Sequence, residues 1–188
     1  MLLDEKSESV SKTKDKKKIP PHQKEIIKKV AENAIIAALY CSVTIITAPF
    51  SYMGIQFRIA EMLVLLCFWR PDYILGLTLG CLIANIFSPL GPWDMLFGSI
   101  ATLIACILVS YASNRLFIAA IYPIAVNAFV VGAELYFLCG LGFWEQTGLV
   151  GLGEATVIIV SYFIWMIIAK NKSFMKFLHP TRHQNILY

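Results

Sequence analysis

The chain is 188 residues long, 58% hydrophobic and only 15% charged, with a formal net charge of +4 and a mean hydropathy of +0.69. An ordinary soluble domain has an apolar share of roughly 45 to 50%, so this composition excludes one. It describes an integral membrane protein, and at about 20 apolar residues per crossing the length holds one domain of several helices and no second.

Residues 1–29 are dense in charge, with Lys16, Lys17 and Lys18 running into Ile19, Pro20 and Pro21. They read as a solvated, partly disordered cytosolic tail that its lysines draw to anionic lipid. Lacking an apolar core, this stretch is not expected to be a cleaved signal peptide. A membrane domain is expected over residues 30–170 and a cytosolic C-terminal tail over 171–188. The first membrane helix should run from Val30 to Pro49. On it Ala34 and Ala38 lie four apart, with Ala31 and Ala37 close by, and such a small-residue face lets another helix approach closely.

After a turn around Pro49 to Gln56, the unbroken apolar run is only Met62 to Trp69. Extending it back through Glu61, Arg58 and Phe57 gives a tilted crossing from Gln56 to Arg70. A third helix is expected over Tyr73 to Phe87, a Pro/Gly loop over Ser88 to Pro92, and a fourth helix over Trp93 to Tyr111. Leu116 to Leu138 makes a fifth, Gly140 to Gly148 a loop, and Leu149 to Ala169 a sixth, ending at Lys170, Lys172 and Lys176. Six crossings from a cytosolic N-terminus put Arg70, Arg115 and the C-terminal lysines on the cytosolic side, as the positive-inside rule asks, and leave Arg58 alone at the outer end of the second helix. Both termini are then cytoplasmic.

The acids fall the other way. Glu61, Asp94, Glu134, Glu145 and Glu154 all lie in the outer half or outer loops, five acids against the single Arg58, a formal net charge of −4 there. A charge at the bilayer centre costs at least about 2.5 kcal/mol, so these residues mark a polar cavity. Their excess favours a ligand rich in hydrogen-bond donors or positive charge. Arg58 and Glu61 are three apart and read equally as an internal ion pair. Thr78, Cys81 and Asn85 share one helical face, as do Asn127 and Glu134, and Thr147 and Glu154 are likewise seven apart. Glu145 reads as a solvated loop acid.

Five cysteines lie in or beside apolar runs without a CxxC pair, and His22, His179 and His183 fall in polar tails, so neither metal nor cofactor is expected. A nucleotide-binding GxxxxGK[ST] loop, HExxH and GxSxG are all absent from the sequence. An enzyme is therefore disfavoured, and no nucleic-acid partner is expected. The chain reads as a small helical bundle with a polar pocket and no ATPase of its own.

The runs GIQFRIAEMLVLL and LTLGCLIANIFSPLGPWDMLFGSIATLIA resemble the QueT family, the S-components of energy-coupling factor (ECF) transporters assigned to queuosine precursors. The resemblance spans about Ala34 to Ala169. It implies an all-α, six-helix ECF S-component-like bundle that binds a 7-deazaguanine from outside: the 7-aminomethyl form, the 7-cyano form or queuine. It also implies a coupling protein and two ATPases as partners, with Ala34 and Ala38 facing the coupling protein, and Ser51 to Gln56 and Ser88 to Pro92 as the outer gate. In such a ligand N1–H and the 2-amino group are adjacent donors for one carboxylate, and O6 accepts from an amide such as Asn85 or Asn127. The candidate pocket is Glu61, Asn85, Trp93, Asp94, Asn127, Glu134 and Glu154, with Arg58 the least secure member. Glu134 with Glu61 or Glu154 would take the donors, and Trp93, Phe97 or Tyr136 would stack on the ring. An S-component for another small vitamin, such as a pterin or pyridoxine, and a stand-alone channel, scaffold or exporter stay open as alternatives.

Overall fold

A computed structural model of the chain describes residues 20–51 and 57–182, and every regular element among them is helical. Helix α1 spans Pro21–Ile46 and α2 is the single turn Ala48–Ser51. A 3-10 helix covers Ile59–Phe68, and a 3-10 turn at Pro71–Tyr73 leads into α3, Ile74–Ala84, which tightens again at Asn85–Phe87. Then follow α4 (Pro92–Tyr111), α5 (Leu116–Cys139), α6 (Phe143–Ala169) and the short α7 (Lys172–Leu178). The chain divides into two units at Val30 and Ala31. Of the first, the described part is the charged start of α1, where Lys29 and Glu25 pair one turn apart at 3.8 Å.

Among the described residues four helices are long and apolar enough to cross a membrane, namely α1, α4, α5 and α6, while Ile59–Phe68 and Pro71–Phe87 are shorter apolar segments. The chain is thus a multi-pass helical membrane protein, and the expected count of six crossings is not what its helix lengths give. The largest departure is the second segment. Arg58 sits outside the helix with ψ at 81°, and Arg70 is extended ahead of Pro71, with φ −131° and ψ 83°. A residue before proline is pushed out of helical geometry, which closes this segment at its C-terminal end. Its ten residues at about 2 Å each reach about 20 Å, against a hydrocarbon core of about 30 Å.

Two boundaries also move. Helix α1 begins at Pro21 rather than Val30, because proline suits a first helical turn and the Lys- and Glu-rich stretch after it forms helix readily; the change at Val30 is one of polarity. Helix α6 begins at Phe143 rather than Leu149. Gly148 closes the loop expected from the sequence, and Gly151 and Gly153 follow it in the expected helix; a Cβ on Gly151 would stand 3.3 Å from Ala128 Cβ of α5, so this glycine sets a close helix contact. Residues 52–56 of the expected gate loop lie outside the described residues.

The 3-10 helix is apolar on nearly every side, and it is packed against α3, α4, α5 and α6. A helix of that kind belongs in the interior. Ala60, Val64, Leu65, Cys67 and Phe68 are fully buried, and the Trp69 ring meets that of Trp165 at a tilt of 55°, centroids 6.1 Å apart. The Trp165 indole N–H donates to the Met62 carbonyl at 2.7 Å. Around this axis, α1 contributes Ala37, Tyr40 and Thr44 from one face, and α3 contributes Gly76, Leu77, Gly80, Cys81 and Ala84. The opposite faces carry exposed Ile35, Leu75, Leu79, Phe117 and Ile167, as a bilayer-facing surface requires.

Arg70 ties the far end of the 3-10 helix. Its Nη1 donates to the Leu178 carbonyl and its Nη2 to Glu32 Oε2, both at 2.7 Å, and its guanidinium lies 4.7 Å over the Tyr73 ring. The backbone N–H groups of Thr181 and Arg182 donate to the Trp69 carbonyl at 3.0 and 3.2 Å. Arg70→Met keeps the stem and removes both bonds. It is expected to destabilise the protein by about 2–3 kcal/mol, the worth of bonds to a buried charged group. Thermal melts and protease cleavage after α7 check this, and unchanged resistance of the C-terminal segment would show that Arg70 does not hold it.

Candidate functional site

Inside the bundle lies a cluster of polar side chains that hydrocarbon would reject. Arg58, 3% exposed, precedes the 3-10 helix and Glu61 is in its first turn; Asn85 closes α3, Asp94 opens α4, Asn127 and Glu134 are on α5, and Glu154 is on α6. All are buried. With every group ionised, one cation faces four acids, a formal −3.

Each polar group has a definite setting. The Tyr40 hydroxyl donates to Glu61 Oε1 at 2.5 Å, and the Thr102 hydroxyl reaches the same oxygen at 3.3 Å. Asn85 Nδ2 donates to the Asp94 carbonyl at 2.9 Å, Ser88 Oγ donates to Asp94 Oδ2, and Asn127 Nδ2 donates to Glu154 Oε1 at 3.2 Å. Both amide nitrogens are therefore committed to the protein. Arg58 lies against α4 where there is no side chain: a Cβ on Gly98 would stand 3.2 Å from its Nη1 and 2.5 Å from Asn85 Nδ2. Asp94 and Glu61 neighbour the guanidinium, and Glu134 neighbours Asp94.

What remains unpaired is more informative. Ten buried side-chain N and O atoms lack a hydrogen-bond partner among the described residues, and seven of them belong to this cluster. They are all three nitrogens of Arg58, Glu61 Oε2, Asn127 Oδ1 and both oxygens of Glu134. Thr147 Oγ1, where a Cβ on Gly132 would come within 2.4 Å, adds an eighth unpaired atom nearby. An unmatched buried polar group costs about 1–3 kcal/mol. Concentrating that cost in one place is what a binding site does, because a ligand bearing the complementary groups recovers it. The site offers a free carboxylate, two further acceptors and one planar fork of N–H donors. A groove of about 470 Å³ between Ile59, Met62 and α6 is lined almost wholly by apolar groups and holds none of these residues.

The structure brings together Arg58, Glu61, Asn85, Asp94, Asn127, Glu134 and Glu154 from the expected set. It does not bring in the aromatic residues: Trp93 is 51% exposed and stacks on Phe97 at 6.3 Å, and Tyr136, 47% exposed, meets Phe137 and Phe143. Each lies next to a buried acid or near one in sequence and on the other side of its helix. Glu145 is exposed, in the first turn of α6 rather than in a loop. Ala34 and Ala38 are exposed, while Ala37 packs toward Gly80. Sequence reading missed Tyr40 and Thr102. Tyr40 was traceable through the Ala37, Tyr40, Thr44 spacing of one α1 face; Thr102 carries no signal among apolar neighbours.

The model of the family described as QueT transporter matches residues 30–170. The chain is 31% identical over 148 residues to a protein of Lactococcus lactis subsp. cremoris (strain MG1363) described as "Queuosine precursor transporter QueT", covering 70% of this chain and 86% of that protein. No solved structure matches. A bundle of membrane-length helices enclosing unpaired polar groups is the architecture a transport protein needs, and with the match over residues 30–170 the chain belongs to the QueT transporter family.

Proposed function

We propose that this chain is the substrate-binding S-component of an ECF-type importer and that it binds a queuosine precursor, a 7-deazaguanine. The observation that carries the reading is the set of unpaired buried atoms. The Glu134 carboxylate takes N1–H and the 2-amino group as a bidentate pair. With both amide nitrogens already engaged, O6 is received by Arg58, whose N–H groups have no partner among the described residues. Arg58 is thereby a ligand contact, the reverse of the weight its sequence context gives it. A base that offers an acceptor where Glu134 needs donors, such as adenine, leaves both sides unpaired and is rejected strongly.

Import would draw on a coupling protein and two ATPases, with the exposed Ala34 and Ala38 on the face that meets the coupling protein. Two measurements test this. Calorimetric titration of the purified chain with the 7-aminomethyl form, the 7-cyano form, queuine and guanine should give binding to at least one of the first three; no binding to any of them overturns the ligand. Ala34→Trp with Ala38→Trp should abolish uptake in cells and co-purification with the ATPases while leaving ligand affinity unchanged. Lost affinity with intact assembly would overturn the interface.

A further inference from the structure

We propose that the segment Leu178–Arg182 is a latch on the pocket: it caps the 3-10 helix that carries Glu61, and detaching it lowers affinity for the ligand. The inference rests on the functional reading above and adds to it a conformational control that acts from the far end of that helix.

A 3-10 helix of ten residues is unusual, because the poor hydrogen-bond geometry of this winding rarely sustains more than about four. As at any helix end, its last carbonyls lack partners within the helix. They find them elsewhere. The Ser110 hydroxyl of α4 donates to the Cys67 carbonyl at 3.0 Å. The Trp69 carbonyl accepts two backbone N–H groups, from Thr181 at 3.0 Å and from Arg182 at 3.2 Å. The cap of the pocket helix is thus supplied from beyond α7, 112 residues along the chain from Trp69.

The capping segment reaches Trp69 by a sharp reversal. α7 ends at His179, whose φ of 48° and ψ of 61° are left-handed. A residue with a side chain is uncommon there and keeps that conformation only where its surroundings impose it. Three contacts impose it: the buried Leu178 side chain, Arg70 Nη1 on the Leu178 carbonyl at 2.7 Å, and the Arg182 guanidinium 4.8 Å over the Tyr111 ring. A strained reversal fastened by so few contacts opens locally before the bundle around it does.

The consequence falls on Glu61. Without its cap the segment can relax toward the commoner α winding. Between Glu61 and Trp69 the full change amounts to about 160° of rotation, and over the ten residues of the helix to about 5 Å of shortening. A small part of that suffices. The Tyr40 and Thr102 hydroxyls meet Glu61 Oε1 at 2.5 and 3.3 Å, and hydrogen bonds of this kind fail within a fraction of an ångström. The carboxylate then leaves its place in the polar cluster.

The test combines calorimetric titration and amide hydrogen exchange on the full chain in detergent, with 7-aminomethyl-7-deazaguanine, the 7-cyano form and queuine as probes. Thr181→Pro with Arg182→Pro removes both N–H donors. It should weaken each probe that the wild type binds by at least about tenfold, an ordinary size for coupling between two sites. Without ligand, the Ile59–Phe68 amides of this variant should exchange at least about tenfold faster than in the wild type, and those of α5 at the wild-type rate. Coupling is reciprocal, so a bound probe should slow exchange at the wild-type Thr181 and Arg182 amides by at least about fivefold, a response that a purely structural strap does not give. That measurement needs no variant and decides the matter if the double variant does not fold. Affinity within about twofold of wild type in the variant, or Thr181 and Arg182 amides unmoved by a probe that binds, overturns the latch and leaves the transport reading intact. Binding of none of the three probes to the wild type overturns the functional reading, and the latch with it.

Discussion

Glu134→Ala is expected to lower affinity for a queuosine precursor by roughly 10²- to 10⁴-fold while leaving the unliganded protein as stable as before or more so. The first half follows from two charge-assisted hydrogen bonds made by one carboxylate, each worth about 1.5–3 kcal/mol, together about 3–6 kcal/mol. The second half follows from what the free protein carries. Both Glu134 oxygens are buried without a partner among the described residues, so truncation removes a group whose burial costs about 1–3 kcal/mol. Binding sites of this kind hold residues that are poor for stability and good for function. Calorimetry gives the first number and a thermal melt without ligand gives the second. A variant that loses stability and keeps its affinity would make Glu134 a structural residue and remove the centre of the proposed pocket.

Gly80→Val on α3 should cause a large loss of stability. A Cβ at Gly80 would stand 2.7 Å from the Ala37 carbonyl oxygen, 3.0 Å from Ala37 Cα and 2.9 Å from Tyr40 Cβ. Those atoms are the backbone and first carbon of α1, so no rotamer change relieves the overlap and the helix itself must move. Overpacking a tight interior costs about 1–3 kcal/mol, occasionally more, and the branched valine belongs at the upper end. Moving α1 also carries Tyr40 away from the oxygen of Glu61 that it holds at 2.5 Å. Ligand affinity should therefore fall together with the melting temperature. Gly148→Ala in α6 is the matched control, because nothing lies within 4 Å of a Cβ there. Replacing a helical glycine by alanine should gain about 0.5–1 kcal/mol. Equal melting temperatures for Gly80→Val and wild type would refute the close contact of α1 and α3.

The polar heart of the molecule was readable because hydrocarbon makes its residues conspicuous. Arg58, Glu61, Asn127, Glu134 and Glu154 stand out of apolar runs, and each is buried. The bounds of α4 and α5 were close to expectation for the same reason, since long apolar runs framed by Pro92, Arg115 and Gly140 leave little choice. Less legible was anything that apolar residues decide among themselves. In a bilayer protein an aromatic side chain is equally at home against lipid or in the core, so Trp93 and Tyr136 could not be placed by composition. The winding of Ile59–Phe68 was hidden too, because its run of Leu, Val and Met is compatible with several helical pitches, and neighbours on all sides select one. Thr102 matters only through a partner 41 residues away.

That winding also constrains the gene. Glu61, Val64 and Cys67 form a row of buried residues spaced by three, one per 3-10 turn, with buried Arg58 and Arg70 just beyond its two ends. The row is fastened at both ends, by the pocket at Arg58 and by Glu32 and Leu178 at Arg70. Gaining or losing a single codon between them turns one end by about 120° relative to the other, and gaining three restores the row but makes it about 6 Å too long. Side chains along this stretch can exchange for others of like size. The number of residues from Arg58 to Arg70 cannot vary, so insertions and deletions among functional homologues should fall outside it.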